Sequence, residues 1–227
     1  MNAGGVEAAP WLAALFPAGV RAAWADTCRC DPADLDPAEA ACLGPQAVRC
    51  RRQEFSAGRL CARHVLAELG IRDFPLLPAA DRSPQWPPDC IGSLSHGSGR
   101  ALAVAARRGG LLGLGVDLED PARVRPELWE MLMTPDERVV LQQRPAAARS
   151  RFAALCFSAK EAFYKCQYPL TGHWLGFDDV SLEENPDGDL AFRVLARDWP
   201  GQSWRFHGRS TLWQGMLVCG VWAVAAA

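Results

Sequence analysis

Hydrophobic residues recur at helical spacing over one long segment in the first half of the chain. Between Pro45 and Gly70 the apolar positions fall three or four residues apart, and a glycine suits the end of a helix. The pattern therefore predicts one long amphipathic helix that ends at Gly70. Its polar face is basic, with Arg51, Arg52, Arg59 and Arg63 beside Glu54.

The segment before this helix is rich in alanine and proline and has a weaker pattern. Residues 33–43 include helix formers, with acidic residues early in the run. Either Asp31-Pro or Asp36-Pro could begin a turn or a helix there, because proline is favoured at the first helical position. We expect short helical structure in this region.

Strand patterns follow the long helix. Ile91–His96 alternates apolar and polar residues, and Ala101–Ala106 is a short apolar run. The intervening Gly97-Ser-Gly99 predicts a hairpin-like turn. A further apolar run, Leu111–Val116, predicts a buried strand that continues into acidic residues.

The second half repeats this order of helices and strands. Pro126–Leu141 predicts a helix, residues 145–148 form a break, and a second helix follows. The apolar stripe of that second helix consists of Phe152, Leu155, Cys156, Ala159, Ala162, Phe163 and Cys166. Asn185-Pro-Asp-Gly188 predicts a turn between two strands. The strand-like segments are Val180–Leu182, Leu190–Leu195, Ser203–Phe206 and Met216–Val224.

Each half thus predicts helices packed on a small antiparallel sheet, which is an α+β fold. The boundary between the halves falls near Leu111–Asp120, giving an N-terminal half over residues 1–112 and a C-terminal half over residues 113–227. The acidic strand lies at this boundary. Ligand sites favour such places, so the boundary is where we expect a site.

Composition narrows the function classes. With 49% apolar and 22% charged residues the chain is typical of a soluble globular protein, and a net charge of −2 argues against a broadly basic nucleic-acid binder. No apolar run reaches the length of a membrane span, and the N-terminus lacks a signal-peptide pattern, so we expect a cytoplasmic protein. The nine cysteines show no zinc-ligand spacing, and we interpret them as reduced thiols.

Two short stretches carry candidate chemistry. Asp117 and Glu119 share one face of the acidic strand, since successive strand side chains alternate. On the second helix Glu161 lies opposite the apolar stripe, next to Lys160 and one turn before Lys165. Mg²⁺ prefers carboxylate and phosphate oxygens, so these residues suit a magnesium-bound pyrophosphate. Taken singly, each stretch is also typical of a solvated surface turn or of an i,i+4 surface pair.

Six short blocks of sequence follow one another from about residue 48: Arg51–Arg63, Pro84–Pro87, Gly92–His96, Gly115–Glu119, Phe157–Lys165 and Trp174–Phe177. In this order they resemble the 4′-phosphopantetheinyl transferase family, and most of all its enterobactin-synthase-type branch. The resemblance implies two similar α+β halves in one chain, with coenzyme A and Mg²⁺ (Mn²⁺ being possible) in the cleft between them. It also implies transfer of the phosphopantetheine arm of coenzyme A to a serine of an apo carrier protein, releasing 3′,5′-ADP.

The resemblance assigns roles in the second half. Asp117, Glu119 and Glu161 would hold the metal, and Lys160 and Lys165 would donate hydrogen bonds to the pyrophosphate oxygens. Glu161 and Lys165 are then the catalytic pair, with Glu161 as the base for the serine proton. A metal-bound water relayed to Glu119 or Glu161 is an alternative, because cation binding lowers the pKa of a carboxylate.

The resemblance also assigns coenzyme A contacts. His96, with Ser95 beside it, would contact the 3′-phosphate, and Arg51 and Arg59 would grip the terminal phosphate or the ADP portion. Arg82 would replace a lysine that related enzymes often carry a few residues earlier. Leu175 would line the coenzyme through its backbone or belong to the core.

The implied partner is an acidic carrier protein, and no nucleic acid or membrane is expected. Arg123 and Arg125, followed by Leu128, Met131, Leu132 and Met133, could supply a basic and apolar docking rim, or could form an ordinary amphipathic helix. Two other functions stay open at this level: a metal-dependent nuclease, and a non-catalytic scaffold that binds coenzyme A or carrier protein. We expect a monomer.

Overall fold

The computed structural model describes residues 5–185 and 187–226. The remaining residues include Pro186 of the predicted turn and the first residues considered for a signal peptide, so those predictions lie partly outside the described chain. The chain divides into two compact units, Met1–Gly109 and Gly110–Ala227. We call them the first and second units.

The first unit packs a long helix on a four-stranded antiparallel sheet of order β1-β2-β4-β3. Short turns of 3-10 helix occur at Thr27–Arg29 and Pro32–Asp34. The elements in chain order are β1 (Val6–Ala8), α1 (Pro10–Ala13), β2 (Arg21–Asp26), α2 (Pro37–Ala40), α3 (Arg49–Glu68), β3 (Cys90–Gly97) and β4 (Arg100–Arg107).

Helix α3 is the predicted long helix. It is followed by Gly70, whose φ of +79° is readily adopted only by a residue without a Cβ. Small side chains allow α3 to approach the sheet closely, and they form most of one core cluster between α3 and the strands. The shared core residues are Ala57, Cys61 and Val65 from α3 and Ala23, Ala101, Ala103 and Ala105 from the strands.

The predicted hairpin between β3 and β4 is confirmed. Ser98 and Gly99 connect the two strands with φ values of +47° and +78°. Positive φ at both positions gives the turn the twist that a two-residue hairpin needs.

Two strands of the first sheet were not predicted. β2 reads Arg-Ala-Ala-Trp-Ala-Asp, and β1 is three residues long. Alanine favours helices in isolation, so only pairing with β4 and burial under α3 make this segment a strand. The expected short helical structure of residues 33–43 is confirmed as the end of the 3-10 turn at Pro32–Asp34 and as α2, which begins after the capping residue Asp36.

The second unit packs another long helix on a five-stranded antiparallel sheet of order β5-β9-β8-β7-β6. Turns of 3-10 helix occur at Pro126–Leu128, Phe177–Asp179 and Gly201–Ser203. The elements in chain order are β5 (Gly113–Glu119), α4 (Trp129–Leu132), α5 (Pro135–Gln143), α6 (Ala146–Thr171), β6 (Val180–Glu184), β7 (Asp189–Val194), β8 (Trp204–Trp213) and β9 (Met216–Ala225). Both units therefore confirm the predicted α+β class.

Helix α6 lies directly against β5 because two glycines leave room for its backbone. A Cβ at Gly115 would stand 1.8 Å from the carbonyl oxygen of Ala162, and one at Gly113 would stand 2.8 Å from that of Cys166. Any larger residue would push the helix off the strand. The alternation Gly113, Gly115, Asp117, Glu119 thus puts both acids on the face of β5 that α6 covers.

The prediction of one helix over Pro126–Leu141 was wrong. The backbone turns extended at Met133 and Thr134, which separates α4 from α5. Pro135 disfavours a helical conformation at the residue before it, and Thr134 instead caps α5 in a reciprocal capping box with Glu137.

Candidate active site

The acidic end of β5 is neutralised in part by one lysine of α6. Lys165 Nζ donates to Asp117 Oδ1 at 2.7 Å and to the carbonyl oxygen of Val116 at 3.3 Å. Asp117 is buried, with 6% of its surface exposed. Glu161, one turn before Lys165, is close enough for its carboxyl to feel the charges of both Asp117 and Lys165.

Negative charge is crowded at this point. Burial and, after it, the nearby charge of Asp117 raise the pKa of Glu119 to about 7. Burial also raises the pKa of Glu161, where Lys165 opposes the shift and Asp117 adds to it. Three carboxylates with one ammonium leave a net negative, oxygen-rich neighbourhood.

This donor set fits a hard divalent cation. Carboxylate oxygens are the ligands that Mg²⁺ takes, and a cation would stabilise the charged carboxylates that burial and the charge of Asp117 disfavour. Within the described residues, however, no three His, Cys, Asp or Glu side chains converge as a ready-made metal ligand group. Asp117 is close enough to interact electrostatically with Glu119 and with Glu161, and Lys165 donates to one of the Asp117 oxygens.

Lys160 does not belong to this neighbourhood, contrary to the implied pyrophosphate contact. Its ammonium is 2% exposed and donates to Glu137 Oε2 at 2.6 Å and to the carbonyl oxygens of Phe177 at 2.7 Å and Leu132 at 3.1 Å. Those three bonds use all three ammonium hydrogens. Lys160 therefore has a structural position in the second unit's interior.

In the first unit the predicted phosphate ligands of α3 and β3 form a contact chain. Arg51 Nη1 lies 3.4 Å from His96 Nε2, and His96 Nδ1 lies 3.5 Å from Glu54 Oε2. Because arginine can only donate, the Arg51 contact is a hydrogen bond in the tautomer whose ring proton is on Nδ1, facing the carboxylate of Glu54. The His96 side chain is 40% exposed and open to a ligand from solvent.

Arg59 lies deeper on the same helix. The residue is 8% exposed, and its guanidinium stands 4.3 Å above the Phe55 ring. Burial lowers the pKa of Arg59, and the charge of Arg51 acts in the same direction. Its Nε has no hydrogen-bond partner among the described residues, which is the state of a buried donor that an anion would satisfy.

The other predicted contacts are dispersed. Ser95 is buried on the face of β3 opposite His96, because strand side chains alternate. Arg82 is exposed at the tip of a tight turn, with a φ of +70°, where Ala79 N donates to the carbonyl of Ser83. The Leu175 side chain is 7% exposed and belongs to the second unit's core, which leaves only its backbone for a ligand.

Comparisons with known proteins identify the family. Residues 38–106 match the 4′-phosphopantetheinyl transferase N-terminal domain, and residues 113–225 match the 4′-phosphopantetheinyl transferase superfamily. The chain is 36% identical over 204 residues to the 4′-phosphopantetheinyl transferase Svp of Streptomyces mobaraensis, covering 86% of this chain and 81% of that protein. The chain belongs to the 4′-phosphopantetheinyl transferase family.

Two further relatives place the chain within this family. The 4′-phosphopantetheinyl transferase PptT of Mycobacterium tuberculosis is 38% identical over 172 residues, covering 73% of this chain and 75% of that protein. Enterobactin synthase component D of Salmonella typhi is 38% identical over 121 residues, covering 52% of this chain and 49% of that protein. The predicted family resemblance is confirmed.

Sequence reasoning missed one organising residue in each unit of this transferase. Glu54 orients His96, and its signal was its position three residues after Arg51 on one helix face. Glu137 holds Lys160, and its signal was the Thr-Pro-x-Glu capping box. Neither signal by itself names the partner residue, because each pair is distant in sequence.

The transferase shows no membrane element in its helices. Across residues 5–185 and 187–226, none of the helices has both the length and the apolar character of a membrane span.

Proposed function

We propose that this chain transfers the 4′-phosphopantetheine arm of coenzyme A to a serine hydroxyl of an apo carrier protein. The serine oxygen attacks the β-phosphorus, the bond from that phosphorus to the 3′,5′-ADP oxygen breaks, and the serine proton passes to a base. The observation that carries the proposal is the Asp117, Glu119, Glu161 and Lys165 neighbourhood in a chain of this family.

The second unit would bind the pyrophosphate. Asp117, Glu119 and Glu161 would hold Mg²⁺, with Mn²⁺ a possible substitute, and the cation would screen the charge that builds on the leaving group. Lys165 would move its ammonium from Asp117 to a phosphate oxygen once the acids bind the cation. Its side chain is 28% exposed and can make that short change.

Two carboxylates compete for the role of base. Glu161 is the candidate that the resemblance implies, and Glu119 has a pKa of about 7, which suits proton transfer at neutral pH. Both pKa values would fall with a cation bound, which keeps relay through a water molecule as the third route.

The first unit would bind the 3′-phosphate and the ADP portion. Arg51 and His96 lie side by side at its surface, and the buried Arg59 has an Nε to donate. A phosphate next to His96 would favour the protonated imidazole, because opposite charges stabilise each other. Arg82, on its exposed turn, would add a mobile positive charge.

The carrier protein would dock on the segment that follows β5. Val124 is buried and fixes the chain there, which leaves Arg123 and Arg125 exposed on either side of it. Met131 is 65% exposed, whereas Leu132 and Met133 are core residues and cannot form the predicted rim. On α5, Val139 and Val140 are further exposed apolar residues.

The release of 3′,5′-ADP tests this function. Coenzyme A, Mg²⁺ and an apo carrier are incubated with the protein, and nucleotides are separated by chromatography. Release should require all three components and should stop with EDTA or with a carrier whose modified serine is replaced by alanine. Release without a carrier would indicate hydrolysis instead, and no release with any carrier class would support a non-catalytic scaffold.

A further inference from the structure

A buried carboxylate organises the interior of the second unit beside α6. Glu137 is 2% exposed and accepts from Lys160 Nζ at 2.6 Å, from Thr134 N at 2.7 Å and from Leu182 N at 2.7 Å. It thereby joins α5, α6 and β6 at one point.

Lys160 completes the same arrangement from the helix side. Through its bonds to the carbonyls of Leu132 and Phe177 it also ties α6 to the end of α4 and to the turn before β6. Lys160 immediately precedes Glu161, so all of these ties act at the level of the acidic site.

The first unit contains the same device. Glu39 is 1% exposed and accepts from Arg63 Nη2 on α3 at 2.9 Å, from Asp36 N at 3.2 Å and from Leu76 N at 2.9 Å. Both glutamates stand at the third position of a short helix with a Pro-x-Glu start, and both receive a cation from the long helix that follows. The recurrence indicates a clamp that holds a long helix, and it supplies a matched control.

We propose that Lys160 and Glu137 are positioning residues that set the rotation of α6 so that Glu161 is directed toward Asp117. This role rests on the proposed function. The Ala162 backbone packs against β5 at Gly115. Lys160, two positions earlier, lies about 200° around the helix, and Glu137 binds it on the side of α6 that faces away from β5. With α6 held from both sides, the direction of the intervening Glu161 is fixed.

A buried ion pair suits this purpose. Desolvation cancels much of its attraction, so it adds little stability, but removal of one partner leaves a buried charge that favours other arrangements. Residues that orient metal ligands from behind typically change metal affinity when they are replaced.

Mn²⁺ binding tests the proposal independently of turnover. The signal of free aqueous Mn²⁺ is followed by electron paramagnetic resonance during titration of the full chain. Glu137→Gln should raise the Mn²⁺ dissociation constant by about tenfold. The matched Glu39→Gln removes an equally buried charge with three bonds and should change that constant by no more than about twofold.

A second variant tests the proposal if the Glu137→Gln protein does not fold. The double variant Glu137→Gln with Lys160→Met leaves no lone buried charge, and it should show the same loss of Mn²⁺ affinity. In both variants the dissociation constant for coenzyme A, measured by calorimetry without metal, should stay near that of the wild type.

Two results would overturn the positioning role alone. One is equal Mn²⁺ binding in all of these variants and the wild type, which would make the pair merely structural. The other is weaker coenzyme A binding in the Lys160 variant with unchanged Mn²⁺ binding, which would indicate that Lys160 contacts coenzyme A directly. No Mn²⁺ binding by the wild type would overturn this role together with the metal-dependent function.

Discussion

At the scale of single residues, the site depends on how one ammonium is shared. Lys165 donates to the buried Asp117 and lies one turn after Glu161, so its ammonium offsets part of the negative charge of the acidic site. In the proposed reaction it is also the positive side chain of the second unit nearest the pyrophosphate ligands. Because of these two tasks, we expect replacement of Lys165 to lower turnover more than replacement of any other cation of this unit.

Replacement of Lys165 by methionine should therefore lower kcat for carrier modification by about 100-fold, because a charged donor to the transferring phosphate is lost. Lys165→Arg should recover part of this loss, since it keeps the charge with a different shape. Initial rates of 3′,5′-ADP release measure both. Turnover close to wild type in the methionine variant would exclude Lys165 from the reaction.

The raised pKa of Glu119 predicts a pH-dependent stability. In the unfolded chain this carboxyl has its ordinary pKa of 4.5, and in the folded protein the pKa is about 7. The folded state thus favours the protonated form, so stability contributed at low pH is lost as the pH rises from about 4.5 to about 7. The residue is partly exposed to solvent, which weakens the effect, so the loss is small, about 1 kcal/mol.

Glu119→Gln should consequently raise the Tm by about 2 °C at pH 8 in EDTA, and by much less at pH 5. Addition of Mg²⁺ at pH 8 should raise the Tm of the wild type more than that of the variant. Differential scanning fluorimetry measures these shifts. An equal effect of the substitution at both pH values would contradict the cause given for the pKa.

At the scale of elements, the contact of α6 with β5 brings the acids of the strand to the acid and lysine of the helix. Gly115→Ala should cost about 3 kcal/mol of unfolding free energy, because the new methyl would collide with the Ala162 carbonyl and move the helix. Gly110→Ala, where a Cβ meets nothing within 4 Å, is the control. Urea unfolding of both variants gives the comparison, and equal stability of the two would refute the close packing.

Elements with a strong period and clear end signals were predictable from sequence. α3 has both a long apolar stripe and Gly70, and the β3–β4 hairpin has Ser98-Gly99. Strand β2 was not predictable from sequence, because its three alanines have no strand preference and its partner β4 lies far along the chain. The sequence analysis missed the division between α4 and α5. Thr134-Pro135 is a helix-start signal, but the apolar residues keep their helical spacing across this dipeptide, which favours one continuous helix.

At the scale of the whole molecule, the family resemblance could find the acids, Lys165 and the basic residues of α3, because these lie in short blocks of sequence. It misassigned Lys160, since a lysine next to a metal ligand looks like a phosphate contact until its three acceptors are known. Those acceptors come from residues 132, 137 and 177, which no local motif connects. The structural role was therefore beyond sequence patterns.

Docking of the carrier protein is the second property that belongs to the whole molecule. Arg123→Glu with Arg125→Glu should raise the KM for an acidic carrier by about tenfold, through loss of attraction and added repulsion, and should reduce the salt dependence of the rate. The KM for coenzyme A should stay unchanged. Steady-state kinetics at two ionic strengths measures this, and an unchanged carrier KM would move the docking surface elsewhere.

The central claim is metal-dependent transfer of the phosphopantetheine arm, and the intact mass of the carrier tests it most directly. An apo carrier incubated with the protein, coenzyme A and Mg²⁺ should gain about 340 Da, and the gain should disappear with EDTA or with the Asp117→Asn variant. A mass gain that persists undiminished in EDTA would contradict the metal site. An unchanged mass for fatty-acid, polyketide and peptide carriers alike would contradict the function itself.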